Sequence, residues 1–161
     1  TVMGQVTVKD IEWGDDRAMA PHLRLADQRE AIAGTGLSPD DALYMAVRCS
    51  DRCWVGWDNN EPIALFGYRD SSNNGSRSAN VWLLGTDRIK EVRWQFLRKS
   101  KMWMDRVADD YEFLWAISDA RNKAHQRWYE WLGFSIDHTV LIGPYSLPFN
   151  YILYKKEEKN V

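Results

Sequence analysis

The sequence predicts a mixed α/β domain: a central sheet of about seven strands with helices on both faces, in the order β-α-α-β-β-β-α-β-α-β-β. Three observations lead to this reading. Strand-like and helix-like runs alternate in the second half, which implies parallel pairing, while a hairpin signal in the first half implies antiparallel pairing. The length, 161 residues, suits one domain spanning residues 1–161, with a core that needs neither disulfide nor metal. Hydrophobic content of 45% and charged content of 27% are those of an ordinary globular chain.

The elements follow in order. "QVTVKDI" alternates and reads as a first strand. In "WGDDRAMAPHLRLADQREAIAGTG", Asp15 or Asp16 can cap a helix, and Leu23, Ala26, Glu30 and Ile32 fall near helical spacing. Pro21 begins a new helical segment, because proline is tolerated in a first turn, and Gly34 and Gly36 end it. "SPDDALYMAVRCSD" is a second helix, with Ser38 as cap, Pro39 at the first position and acids in the first turn. "CWVGWDNNEPIALFGYRD" is a hairpin about Asp58-Asn59-Asn60, and "ANVWLLGT" is a mid-sheet strand, apolar on both faces. "EVRWQFLRKSKMWMDRVADDY" is a long amphipathic helix, with Val92, Phe96, Trp103 and Val107 on one face. "EFLWAIS" is a buried strand, and "ARNKAHQRWYEWLG" is a helix stopped by Gly133. "FSIDHTVLIG" and "FNYILYKK", joined through "PYSLP", close the sheet. The ends, Thr1–Gly4 and Glu157–Val161, and the polar loop Asp70–Ser78 are the ragged pieces.

Charge and composition exclude some functions. The net charge of −2 shows no global basic bias, so nucleic acid is not expected as the main partner. Locally, Arg88–Arg106 carries seven basic residues against two acids, while Thr1–Asp41 carries eight acids against four bases. A basic segment of this kind can meet phosphates or form a solvated helix face. Cys49 and Cys53 lack further Cys or His partners and read as free thiols in a reducing compartment, and no metal site is expected. No apolar run reaches a membrane span and no signal peptide is visible, so no membrane partner is expected. Nine tryptophans are many for this length; they imply an aromatic-rich core with a few rings left to face partners.

The stretch "DARNKAHQRWYEWLGF" carries the sharpest functional signal. A strand leads to Asn122 at a helix start, Tyr129 follows seven residues on, and Gly133-Phe134 closes the helix. With the element order, this resembles the GNAT (N-acetyltransferase) superfamily over nearly the whole chain. The resemblance implies that Asn122 bonds the pantetheine arm of acetyl-CoA and that Tyr129 is the general acid for the departing thiolate. It also implies that the central strand near Leu84 and Thr86 holds the pantetheine. The family's diphosphate loop, Q/R-x-x-G-x-G/A, aligns with "GTDRIKEVRW". Arg88 matches the first position, but Glu91 and Arg93 stand where glycines would let backbone approach the phosphates. A carboxylate a few ångströms from a phosphate costs about 1 to 4 kcal/mol, which weakens binding roughly tenfold to a thousandfold. Arg88, Lys90 and Arg93 could compensate by gripping phosphates directly. Loss of the coenzyme is therefore expected, with acetyl-CoA as cofactor in the alternative case of a working enzyme. Candidate bases are Asp87 and Asp119, each also a helix-cap candidate; His125 lies one turn before Tyr129 and could share its face, and His22 and His138 are scattered.

A narrower resemblance runs through "APHLRLADQREAIAGTG", "IALFGYRD", "VWLLGTD" and "FLRKSKMW". These are similar to a short-tailed bacteriophage family related to internal virion protein A. That resemblance implies a phage protein, in the virion or the host cytoplasm, acting through contacts with virion proteins, with itself or with a host target.

Overall fold

A computed structural model of the chain describes residues 5–155. The expected ragged ends lie outside these residues. The described elements are β1 (Val6–Asp10), α1 (Asp15–Met19), α2 (Leu25–Thr35), α3 (Pro39–Cys49), β2 (Arg52–Asp58), β3 (Glu61–Asp70), β4 (Ser78–Gly85), α4 (Arg93–Ala108), β5 (Phe113–Asp119), α5 (Lys123–Leu132), β6 (Ser135–Ile142) and β7 (Leu147–Lys155). Short 3-10 turns lie at Ala20–His22 and Asp87–Val92.

The seven strands form one sheet in the order β1-β2-β3-β4-β5-β7-β6. Every neighbouring pair is antiparallel except β4 and β5. That parallel seam is short: it pairs Ser78, Ala79 and Asn80 with Phe113, Leu114 and Trp115, and the Asn80 side-chain amide donates to the Trp115 carbonyl at its end. Beyond it the two strands run on to Gly85 and Asp119 without pairing, so a gap opens between their C-terminal ends. In a sheet with helices on its faces, such a gap at carboxyl ends of parallel strands is where ligands enter.

Two apolar clusters hold the layers together. On one face α4 and α5 pack over the sheet through Phe96, Trp103, Met104, Trp128 and Leu132. On the other, Met19, Leu23 and Leu43 pack on Val55 and Leu65. Trp103 and Trp128 are buried; Trp13, Trp94 and Trp131 are exposed, matching a core with a few outward rings.

Several local expectations change. Neither Asp15 nor Asp16 caps a helix: Gly14, at φ 94°, holds that position, and Asp15 accepts the Glu12 N–H instead. Ser38 does cap α3, accepting the Asp41 N–H at 3.2 Å. The long helix expected from Glu91 begins at Arg93, after the 3-10 turn. The polar loop after β3 is hydrogen-bonded rather than ragged, with Asn73 and Ser76 exchanging main-chain bonds.

The β6–β7 turn braces α2. Gly143 has φ 80°, and a Cβ placed there would meet the Ala33 carbonyl oxygen at 2.0 Å. Both the backbone conformation and the contact require glycine. Gly143→Ala is expected to destabilise the fold by at least about 2 kcal/mol. An unchanged midpoint in urea denaturation would show that this turn does not support α2.

Candidate functional site

The gap between β4 and β5 is bridged by side chains from α2 and α5. Gly85 donates its N–H to Asp27 Oδ2 at 2.8 Å, and its carbonyl accepts the Arg24 N–H at 2.8 Å. Across the gap, Asp119 donates its N–H to Glu30 Oε1 at 2.5 Å. Asn122 caps α5 through Oδ1, and its Nδ2 donates to Asp27 at 3.0 Å and to Glu30 at 3.2 Å. His125, one turn along, places Nδ1 2.7 Å from Glu30 and Nε2 3.3 Å from Asp27, the latter too oblique for a hydrogen bond. The Arg24 guanidinium pairs with Asp27 at 3.0 Å.

The set is almost wholly out of water. Asp27 is 0% exposed, His125 2% and Glu30 9%. Unpaired charges at such depth would be prohibitively costly, so their balance matters. Two carboxylates face one guanidinium and one imidazole, which closes at zero net charge when His125 is protonated. Burial pushes the His125 pKa down, but Glu30 and Asp27 outweigh it and raise it to about 9. Burial likewise opposes the Asp27 carboxylate, but His125, Arg24 and the Gly85 N–H hold its pKa down to about 2. Three ligand atoms of Asp27, Glu30 and His125 lie within 4.8 Å of one another, a spacing a metal could use. The two cations already present answer the same charge, and the arrangement is that of an ion-paired set.

Tyr129 lies beside it, 3% exposed, with its ring edge-on to His125 at 6.1 Å. Burial and the Glu30 and Asp27 charges push the phenol far above its ordinary value, so it stays protonated and can donate a hydrogen bond. A pocket of about 310 Å³ opens toward α2 and α3, and Glu30, His125 and Tyr129 form part of its wall with Leu84, Trp82 and Phe149.

The remaining predicted residues divide. Leu84 is half-buried against the Met19–Leu43 cluster. Thr86 is buried at the start of the 3-10 turn, and its hydroxyl has no partner; the Ser118 hydroxyl, near the end of β5, is likewise orphaned. Arg88 is held by carboxylates: Asp58 at 2.8 Å, Glu91 at 2.8 Å and Glu61 at 3.7 Å. Arg93 is exposed, with its guanidinium over the Trp94 ring. Both base candidates lie beside cations. Asp119 is taken up by Arg121, through its N–H and guanidinium, and exposed Asp87 lies 4.0 Å from Lys90. His138 is exposed and paired with Asp137, and His22 is exposed. His125, read as a helix residue that could share the Tyr129 face, does so, fully buried.

Sequence reasoning missed Asp27 and Glu30 as site residues. The available signal was Glu30 itself, an acid standing within an apolar helical stripe. No family model matches the sequence, and no curated protein matches it. Solved structures do. The chain is similar to an aminoglycoside N(6')acetyltransferase from Legionella pneumophila, with a TM-score of 0.71 at 11% identity over 93% of this chain and 91% of that one. The fold is that of the GNAT acetyltransferases. Spermidine N-acetyltransferase from Vibrio cholerae, solved with CoA and spermine, shares this GNAT architecture at TM-score 0.63 and 17% identity, covering 94% and 95% of the two chains. An acetyltransferase-like protein from Salmonella typhimurium, solved with acetyl-CoA, gives TM-score 0.62 and 14% identity over 97% and 96%.

The ion-paired set makes stability depend on pH with a definite sign. His125 has a folded pKa raised from 6.5 to about 9, so its contribution is complete below pH 6.5 and lost as pH rises through 9. Asp27 has a folded pKa lowered from 3.8 to about 2, so its contribution is complete above 3.8 and lost as pH falls through 2. The His125 share is on the order of 2–4 kcal/mol. Thermal denaturation is expected to show a plateau between these limits and a fall toward pH 9. His125→Gln should lose the alkaline fall. A variant that keeps it would place the titrating group elsewhere.

Proposed function

We propose that this protein is an acetyl-CoA-dependent N-acetyltransferase acting on an amine of a small molecule or a protein. The supporting observation is the convergence of Glu30, His125 and Tyr129 on one pocket at the end of the β4/β5 gap. Buried ion pairs are a poor way to fill space: apolar groups of similar volume are often as stable or more so. Charges kept at that depth, beside a proton donor and open to a pocket, are what acid–base chemistry needs.

Acetyl-CoA is tested by the donors the gap offers. The Gly85 N–H and the Asn122 amide suit a ligand rich in carbonyl and amide groups. Both donors are engaged by Asp27 and Glu30, which must release them. Bound there, acetyl-CoA supplies an acetyl group activated as a thioester. Glu30 reaches the pocket and accepts a proton from the incoming amine; His125 holds that carboxylate in place. Tyr129, kept protonated, donates a hydrogen bond to the sulfur as the thioester C–S bond breaks. The enzymes of similar fold are named for aminoglycoside and spermidine amines, which is why the acceptor is written as an amine.

A second reading rests on a different observation. Arg88, which should meet diphosphate, is held by Asp58, Glu61 and Glu91, and both gap-facing groups of Gly85 are occupied. In that reading the chain keeps the fold without the coenzyme and acts through protein contacts, with exposed Trp13, Trp94 and Trp131 as anchors. Its partners would be virion proteins, a host protein or a second copy, and its place the phage particle or the host cytoplasm.

Calorimetric titration with acetyl-CoA separates the two. The enzyme reading expects weak but saturable binding, tightened about tenfold by Glu91→Ala, which removes the carboxylate at the diphosphate turn. Asn122→Ala should abolish it. With an accepted amine, Tyr129→Phe should lower the rate of CoA release by about a hundredfold or more. A flat titration at millimolar acetyl-CoA with folded protein retires this reading in favour of the second.

A further inference from the structure

A second cavity lies on the flank of α4 that faces β1 and β2, with a volume of about 510 Å³. It is separate from the pocket at the gap and shares none of its lining residues. Three cations reach it: Arg52 from the strands, Lys99 and Arg106 from the helix; the Lys9 ammonium sits over the Trp57 ring at 5.9 Å, on the opposite face of the sheet. The single acid on its wall, Asp10, is paired with Arg52 at 3.1 Å. Three positive charges against one negative leave a local excess of two in a chain whose net charge is −2. Lys99 and Arg106 have no carboxylate within ion-pair distance among the described residues, whereas Lys101, facing away, is paired with Asp105.

Spacing explains how the helix supplies this wall. Residues 99, 102, 103 and 106 are one and two turns apart, so Lys99, Met102, Trp103 and Arg106 share a face. Trp103 and Trp54 meet edge to face at 5.1 Å, and Arg52 lies over the Trp54 ring at 4.8 Å. Trp103 is 7% exposed, yet its indole N–H has no acceptor. Three other indoles, those of Trp82, Trp115 and Trp128, each donate to a serine hydroxyl.

The geometry points to a binding site for a small phosphorylated polyanion, its oxygens held by Arg52, Lys99 and Arg106, with the Trp103 indole as part of the cavity wall. The cavity has the size of small-molecule sites, and its cations are clustered rather than spread along a groove, which favours a compact ligand over a nucleic-acid strand. The recognised chemistry is the polyphosphate group, free or carried by a nucleoside.

Titration with inorganic tripolyphosphate and with ATP tests this, followed by two-dimensional NMR of the indole N–H signals. Both probes are expected to bind saturably at low salt and to shift the Trp103 indole signal, assigned through Trp103→Phe. Raising salt from about 50 to 300 mM should weaken binding, as screening of exposed charges requires. Lys99→Glu and Arg106→Glu, both surface changes, should each weaken it at least tenfold, while Asn122→Ala should leave it unchanged. Equal affinity for the two probes assigns recognition to the phosphates; tighter ATP binding adds the nucleoside. Absence of saturable binding at low salt, or binding indifferent to both charge reversals, overturns the proposal. If Trp103→Phe does not fold, the two charge reversals decide alone.

Discussion

The closure of the β4/β5 gap by Asp27, Glu30, Asn122 and His125 is the interaction on which the rest of the structure depends. Two strands that separate leave main-chain N–H groups facing an empty wedge, and such groups must find partners. In this chain the partners come from the protein itself. Asp27 satisfies one edge at Gly85, Glu30 the other at Asp119, and Asn122 links both carboxylates. Charge neutrality then requires Arg24 and a protonated His125. Each member makes sense only in the presence of the others, which is why Asp27 and Glu30 do not read as site residues in isolation.

This arrangement joins fold to chemistry. The gap exists because the parallel seam is three residue pairs long. The helix that fills it is positioned by a turn from the far edge of the sheet, through Gly143 against Ala33. The same carboxylates that satisfy the backbone also set the proton affinity of the neighbouring groups: they hold His125 charged and Tyr129 protonated. A single set of side chains therefore controls the width of the gap, the charge at its floor and the direction in which a proton can move.

Much of the fold was legible because it is written in local pattern. Alternation gave the strands, Ser38-Pro39 gave one helix start, and Gly133 at φ 102° gave one helix stop. Asn122 and Tyr129 stood out through the resemblance to GNAT enzymes, and both lie on the helix over the gap, Asn122 as its cap and Tyr129 buried beside His125. Asp27 and Glu30 lie about ninety residues away from them in the chain, and their roles arise only when the sheet brings α2 over α5. Arg88 shows the same limit in reverse. Its identity suggested a grip on phosphate, but Asp58, at the end of the β2–β3 hairpin, and Glu61 claim it, and nothing near Arg88 in sequence announces that. Asp15 was misread because a left-handed glycine can replace a side-chain cap, and the sequence alone does not choose between them.

The brevity of the parallel seam has a mechanical meaning. The sheet is two stiff leaves, four strands on one side and three on the other, each laced by long antiparallel ladders and stitched together along only one short margin. Bending is concentrated at that margin, as in a book whose spine is bound at one end. The charged cluster is the clasp at the open end, tying Gly85 on one leaf and Asp119 on the other to the same helix.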